Sequence, residues 1–172
     1  MKESKPNKRL YITLILFLLA IVALDQLSKH LVVRNIPFGA QVPLLPGVVH
    51  LTYVRNTGAA FSMLSGARWL FLGLVVVFLA VLVLLIRRGV LREPMELWCM
   101  TAIAGGAVGN AIDRAIAGSV VDMIEVEFLR FAVFNVADCF ITCGAILFVI
   151  YILFFSGRSA GKQQEQDDAE TM

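Results

Sequence analysis

Apolar residues gather along this chain in four long stretches and do not recur at the spacing of a soluble amphipathic helix. They cover residues 10–24, continuing past Asp25 towards Val33, then 69–86, 95–112 and 133–155. Each approaches the ~20 residues that cross ~30 Å of hydrocarbon at ~1.5 Å per residue. Four transmembrane helices are therefore predicted, over about residues 10–33, 69–86, 95–113 and 133–155. Between the first two, residues 48–54 are β-prone, preceded by Pro43, Pro46 and Gly47 and ended by Asn56-Thr57-Gly58; residues 120–127 form a second such segment. The expected fold is an all-α membrane protein of four transmembrane helices with a small extracytoplasmic β-sheet, a cradle between helices 1 and 2, lying on the outer membrane surface. Residues 1–155 read as one unit, and the Gly-, Ser-, Gln- and acid-rich residues 156–172 as a disordered cytoplasmic tail too polar to pack.

The residues that interrupt the apolar pattern carry the most information, because an ionisable group in a span is costly and points to function. Asp25 and Lys29 end the first span, Asn110, Asp113 and Arg114 end the third, and Asn135 and Asp138 begin the fourth. Counting back from Phe155, Asp138 lies about 17 residues along the helix, roughly 26 Å, at or just inside one boundary. Asp113 falls at a similar depth, so the polar residues share one face of the membrane. Asp25 and Lys29 stand in the favourable i, i+4 order for an ion pair, and Asn110 and Arg114 share a helical face. Gly105, Gly106 and Gly109 let another backbone come close to the third span.

Loop charge orients the bundle. Lys2, Lys5, Lys8 and Arg9 precede the first span, Arg87, Arg88 and Arg92 fill the short second loop, and Arg158 and Lys162 follow the fourth. Lys and Arg are retained on the cytoplasmic side, so both termini are expected there. The basic residues of the other side, among them Arg34, Arg55, Arg68 and Arg130, are spread over longer segments and mixed with acids. The first stretch lacks an Ala-x-Ala site before Asp25 and reads as a retained span, not a cleaved leader.

Composition narrows the chemistry. The chain is 59% hydrophobic and 16% charged, and its net charge of +2 provides no nucleic-acid footprint. Cys99, Cys139 and Cys143 lie in apolar runs and read as small buried residues; His30 and His50 stand apart. No metal site and no cofactor are expected. The chain has no Gly-x-Ser-x-Gly elbow and no His-Glu-x-x-His, and Ser28 with Lys29 is the only nearby Ser/Lys combination. Asp25, Asp113, Asp122 and Asp138 remain. Two carboxylates close together in a partly desolvated site share a proton, so one can activate water while the other polarises a carbonyl. Position alone leaves open which two. A proton path would also use intramembrane acids, but would spread them through the membrane depth. A packing factor built on the glycines would need no acid pair.

In order along the chain come Asp25-Gln26-Leu27-Ser28-Lys29, Asn56-Thr57-Gly58-Ala59-Ala60-Phe61-Ser62, Gly105-Gly106-Ala107-Val108-Gly109-Asn110-Ala111-Ile112-Asp113-Arg114, Val121-Asp122 and Phe134-Asn135-Val136-Ala137-Asp138. This series resembles the motifs of lipoprotein signal peptidase, the signal peptidase II family of bacterial inner-membrane aspartic proteases. The resemblance spans residues 10–155. It implies removal of the signal peptide of a prolipoprotein just before a diacylglyceryl-modified cysteine. It also implies Asp122 and Asp138 as the catalytic dyad, with Asn56, Asn110, Arg114 and Asn135 lining the site. Asp25, Lys29 and Asp113 become structural supports, with a polar side chain or backbone group as the partner of Asp113. The implied partners are lipid-modified prolipoproteins and membrane lipid, and a monomer is expected. Met123 stands where Phe is usual, and Phe131-Ala132-Val133 where Trp-Pro often precedes the Phe-Asn motif. Neither change removes a reacting group, so both bear on substrate preference.

Overall fold

Four helices account for the apolar stretches in the computed structural model, which describes residues 8–58, 63–129 and 131–155. Among these residues the order is α1 (Lys8–Asn35), β1 (Gln41–Leu45), β2 (Val49–Asn56), α2 (Arg68–Arg87), α3 (Pro94–Ala117), β3 (Val120–Val126) and α4 (Val136–Phe154). The expected tail, residues 59–62 of the second motif and Arg130 lie outside the described residues.

α1, α2 and α4 are each long and apolar enough to cross a membrane. α3 spans 24 residues, ~36 Å at ~1.5 Å per residue, and α1, α2 and α4 all pack against it. Its central place explains its composition: polar and small residues that hydrocarbon would disfavour are turned towards protein. Pro94 starts it beside a Glu93/Glu96 capping box, and Gly118, at φ 73°, ends it in the left-handed conformation that glycine adopts without strain.

Helix association in lipid depends on close packing, since the tails are as apolar as leucine. The glycines supply it. Gly105 and Gly109, one turn apart on α3, face α1: a Cβ on them would lie 3.0 Å from Ile21 and 2.5 Å from the Asp25 carboxylate. Gly106 faces α4, where a Cβ would overlap the Ala137 carbonyl oxygen. Gly144 returns the contact, with the Cys99 carbonyl oxygen 3.0 Å from where its Cβ would be. Leu14, Leu82, Leu91, Leu97 and Ala104 form the core towards the α2–α3 connection. On α2 only Leu82 is buried, so most of that helix is left to face lipid.

The strands form one antiparallel sheet in the order β1-β2-β3. β2 and β3 occupy the two β-prone segments. β1 arises where Pro43 argued for a breaker. It pairs only with β2, so the missing proline N–H falls at a sheet edge, and the register slips between Pro43 and Leu45. The cradle draws on both connections, as β3 arrives from between α3 and α4. Val32 of α1 and Ile36 just after it pack with Tyr53 and Met123 and fasten the sheet to the helix ends. Chain order then puts the C-terminal ends of α1 and α3 and the N-terminal ends of α2 and α4 at the sheet.

Candidate active site

Three segments converge beneath the sheet. β3 carries Asp122, which pairs with Val54 of β2; Asn56, two residues on, therefore points to the same face. Asn56 Nδ2 donates to Asp122 Oδ2 at 3.1 Å, and the Asn56 Oδ1 accepts the Gly58 N–H at 2.9 Å, which fixes the amide's sense. Asn135 caps α4 in an extended conformation, accepting the Asp138 N–H while its own N–H donates to Asp138 Oδ2. The cap places Asp138 in the first turn, where the helix dipole favours a negative charge.

Asn135 also joins the two acids. Its Nδ2 donates to Asp122 Oδ1 at 2.6 Å and to Asn110 Oδ1 at 3.1 Å, and Asn110 Nδ2 donates to Asp138 Oδ1 at 2.8 Å. All four carboxylate oxygens of Asp122 and Asp138 thus accept a hydrogen bond from an amide. Asn135 is completely buried and Asp122 only 3% exposed. Burial pushes the Asp122 carboxyl up to about 6; the amides of Asn135 and Asn56 oppose the shift, the Asp138 charge adds to it, and the Lys29 charge opposes it.

A second layer lies behind the first. Lys29 Nζ donates to Asp25 Oδ2 at 2.8 Å, Asp113 Oδ2 at 2.9 Å and Asn110 Oδ1 at 2.9 Å, which uses all three ammonium protons. Asp25 Oδ1 accepts the Ala137 N–H at 3.0 Å and so holds the first turn of α4 from α1. Asp113 accepts from Lys29, from Gln26 and from the Val121 N–H beside Asp122. Its partners are therefore both kinds that the resemblance implied. Because Lys29 and Asn135 both address Asn110 Oδ1, the Asn110 NH2 must face Asp138. We expect Lys29→Met to leave the buried Asp25 and the partly buried Asp113 without their cation and to destabilise the protein by about 3–5 kcal/mol. The unfolding midpoint in detergent would show it; an unchanged midpoint would rule the arrangement out.

Arg114 does not pair with the Asn110 side chain. Its Nη1 donates to the Asn110 carbonyl at 3.4 Å and its Nη2 to the Gly58 carbonyl at 2.8 Å, and its guanidinium lies 4.7 Å over the Phe71 ring. Among the described residues its buried Nε has no hydrogen-bond partner. Asn56, Asn110, Arg114, Asp122 and Asp138 form the polar end of a cavity of about 730 Å³ between α2, α3 and α4. Leu74 and Phe78 of α2, Ile103 of α3 and Ile141 of α4 line its apolar remainder.

Gln26, which the motif resemblance leaves without a role, joins the second layer. It donates to Asp25, to the Gly109 carbonyl and to Asp113, and its position three residues before Lys29 on one helical face was the available signal. The Ala137 N–H could not be found from sequence, since it acts through backbone. The cysteines need correction. Cys99 is buried, but Cys139 is half-buried and Cys143 exposed, and both line the cavity. Among the described residues no three His, Cys, Asp or Glu side chains converge as a metal site requires.

Comparison with known proteins agrees with the motif series. The family model for signal peptidase (SPase) II matches residues 17–154. A lipoprotein signal peptidase of Brevibacillus brevis is 41% identical over 139 residues, covering 80% of this chain and 92% of the relative. One from Streptococcus pyogenes serotype M6 is 40% identical over 147 residues, covering 84% and 93%. A bacterial membrane enzyme solved by the in meso method at 2.3 Å superposes with a TM-score of 0.78 at 31% identity, over 82% of this chain and 87% of that one. A second, at 1.9 Å, gives 0.76 at 31% identity. From its helices and sheet to the order of its polar motifs, this chain belongs to the signal peptidase II family.

Proposed function

We propose that this protein is an aspartic endopeptidase that removes the signal peptide from diacylglyceryl-modified prolipoproteins, cutting just before the lipid-modified cysteine. The observation that carries this reading is the bridging of Asp122 and Asp138 by Asn135 at the polar end of a cavity whose remainder is apolar. An apolar signal helix entering sideways between the spans finds a lipid-like wall, and its cleavage segment reaches the acids where it leaves the bilayer.

In this mechanism one of the two carboxyls is ionised while the other carries a proton. The ionised member takes a proton from water, the oxygen attacks the peptide carbonyl, and the protonated member donates to the carbonyl oxygen. Collapse of the tetrahedral intermediate breaks the C–N bond and returns a proton to the leaving amine. Asn56, Asn110 and Asn135 hold the carboxylates in place, which removes the cost of ordering them at the moment of reaction. Arg114 lines the same end and brings a positive charge to it.

In this reading residues 1–155 act as one peptidase unit in the bacterial inner membrane, working as a monomer. Both termini are cytoplasmic, the tail from residue 156 follows there, and the sheet end faces outward, in line with the basic residues around the other ends. The test is incubation of the purified protein, in detergent or lipid, with a diacylglyceryl-modified prolipoprotein and with its unmodified form. We expect a product whose new N-terminus is the modified cysteine and none from the unmodified chain. Cleavage at another bond, or none, overturns the proposal.

A further inference from the structure

Peptide hydrolysis by two acids uses no thiol, yet two of the chain's three cysteines line the cavity that holds those acids. Cys139 and Cys143 are spaced i, i+4 on α4, so they stand one above the other on the face turned to the cavity. That spacing sets their Cβ atoms about 5–6 Å apart, beyond the roughly 3.5–4.5 Å that a disulfide spans. Both therefore stay thiols. Around them the wall is apolar, formed by Leu74, Phe78, Ile103 and Ile141, and α2 on the opposite side is the helix most open to lipid. A neutral apolar reagent dissolved in hydrocarbon partitions into such a groove, whereas a charged one is kept out.

We propose that Cys139 and Cys143 form a modification site for small apolar electrophiles of the α,β-unsaturated carbonyl class, and that an adduct there closes the cavity to substrate. The sulfur bonds to the β-carbon, the C=C π bond breaks, and the thiol's proton ends on the α-carbon. The thiol gives up its proton before the sulfur attacks and the α-carbon takes one up afterwards, so thiol and alkene are the only net reactants, with no oxidant and no leaving group. The adduct occupies the cavity wall next to Asp138 when it forms on Cys139, or about 7.5 Å further along α4 when it forms on Cys143. Closure to substrate rests on the reading of this cavity as the groove for the signal helix; the modification itself does not.

The probe is N-ethylmaleimide, with a sulfonated maleimide as its charged counterpart, applied to the intact protein in lipid vesicles. Adducts mapped by mass spectrometry are expected on Cys139 or Cys143 and not on buried Cys99, and more slowly with the charged reagent. Cleavage should fall with adduct formation in the parent, while a C139S/C143S variant keeps the share of its own untreated activity that the parent loses. Adducts confined to Cys99, equal rates with the two reagents, or equal fractional loss in the double variant overturns the proposal. A second measurement needs no cysteine variant. Prolipoprotein at about ten times its Kd should slow labelling of the parent about tenfold, because only the unoccupied fraction reacts. Labelling at Cys139 or Cys143 without such protection overturns the closure. Parent protein that labels as expected but cleaves no prolipoprotein separates failure of the proposed function from failure of the modification site.

Discussion

Asp122→Asn and Asp138→Asn are each expected to lower prolipoprotein cleavage by on the order of 10⁴-fold, since groups that act as a unit fail together. Each substitution keeps the shape of the side chain and one acceptor oxygen, so the hydrogen bonds from Asn135 are largely retained. What disappears is the proton that the pair exchanges with water and carbonyl in the proposed mechanism. Folding serves as the internal check. The Asp122 carboxyl titrates at about 6 in the folded protein against 3.8 for an ordinary aspartate. A raised folded pKa contributes stability below the unfolded value that is lost as pH rises through the folded one. Relative to the parent, Asp122→Asn should therefore gain stability between about pH 4 and pH 6 and hold that gain above it. The limit is about 3 kcal/mol, at about 1.4 kcal/mol per pKa unit, less what the Asn56 donor loses against the new amide NH2. Comparing unfolding midpoints at pH 4, 6 and 8 tests the sign; a near-parent cleavage rate in either variant would remove that acid from the dyad.

Gly106→Ala should have the next largest effect. Alanine is the better helix former by about 1 kcal/mol, so propensity predicts stabilisation. Packing predicts the reverse, because the new Cβ would overlap the Ala137 carbonyl oxygen, which is backbone and cannot rotate away. α4 must shift, at a cost of about 1–3 kcal/mol. Ala137 immediately precedes Asp138, and a displacement of about 1 Å at a reacting group can cost on the order of 100-fold in rate. Cleavage is thus expected to fall by about that factor while the protein still folds. Gly73→Ala on α2, where a Cβ meets nothing within 4 Å, is the control and should leave both properties near those of the parent. Equal behaviour of the two variants would show that α3 and α4 do not depend on this contact.

The span ends were legible because hydrocarbon enforces a simple rule: Asp25, Lys29, Asn110, Asp113 and Asp138 stand out against apolar neighbours. Asp122 was not distinguished in this way. It sits in a short β-prone segment outside the spans, and only the motif resemblance singled it out from the other acids. β1 was hidden by Pro43, whose penalty depends on whether a strand is central or at an edge, a property of the sheet and not of the segment. The wiring of the site was hidden for a related reason. That Lys29 reaches Asn110 across 81 residues of sequence, or that Asp25 holds the Ala137 N–H across 112, follows from helix packing and not from local pattern. Glycines announced that α3 would be approached closely, but not that Gly105 and Gly109 would serve α1 while Gly106 serves α4.

The threading of the sheet bears on when, during synthesis, the proposed site can be completed. β3 pairs with a strand made before α2, and its aspartate is bridged to a helix made after it. When the first three helices and β3 have been made, the chain holds Asn56 and Asp122 but neither Asn135 nor Asp138. With Asp122 and Asp138 as the proposed dyad, the site is complete only once the last helix has been made.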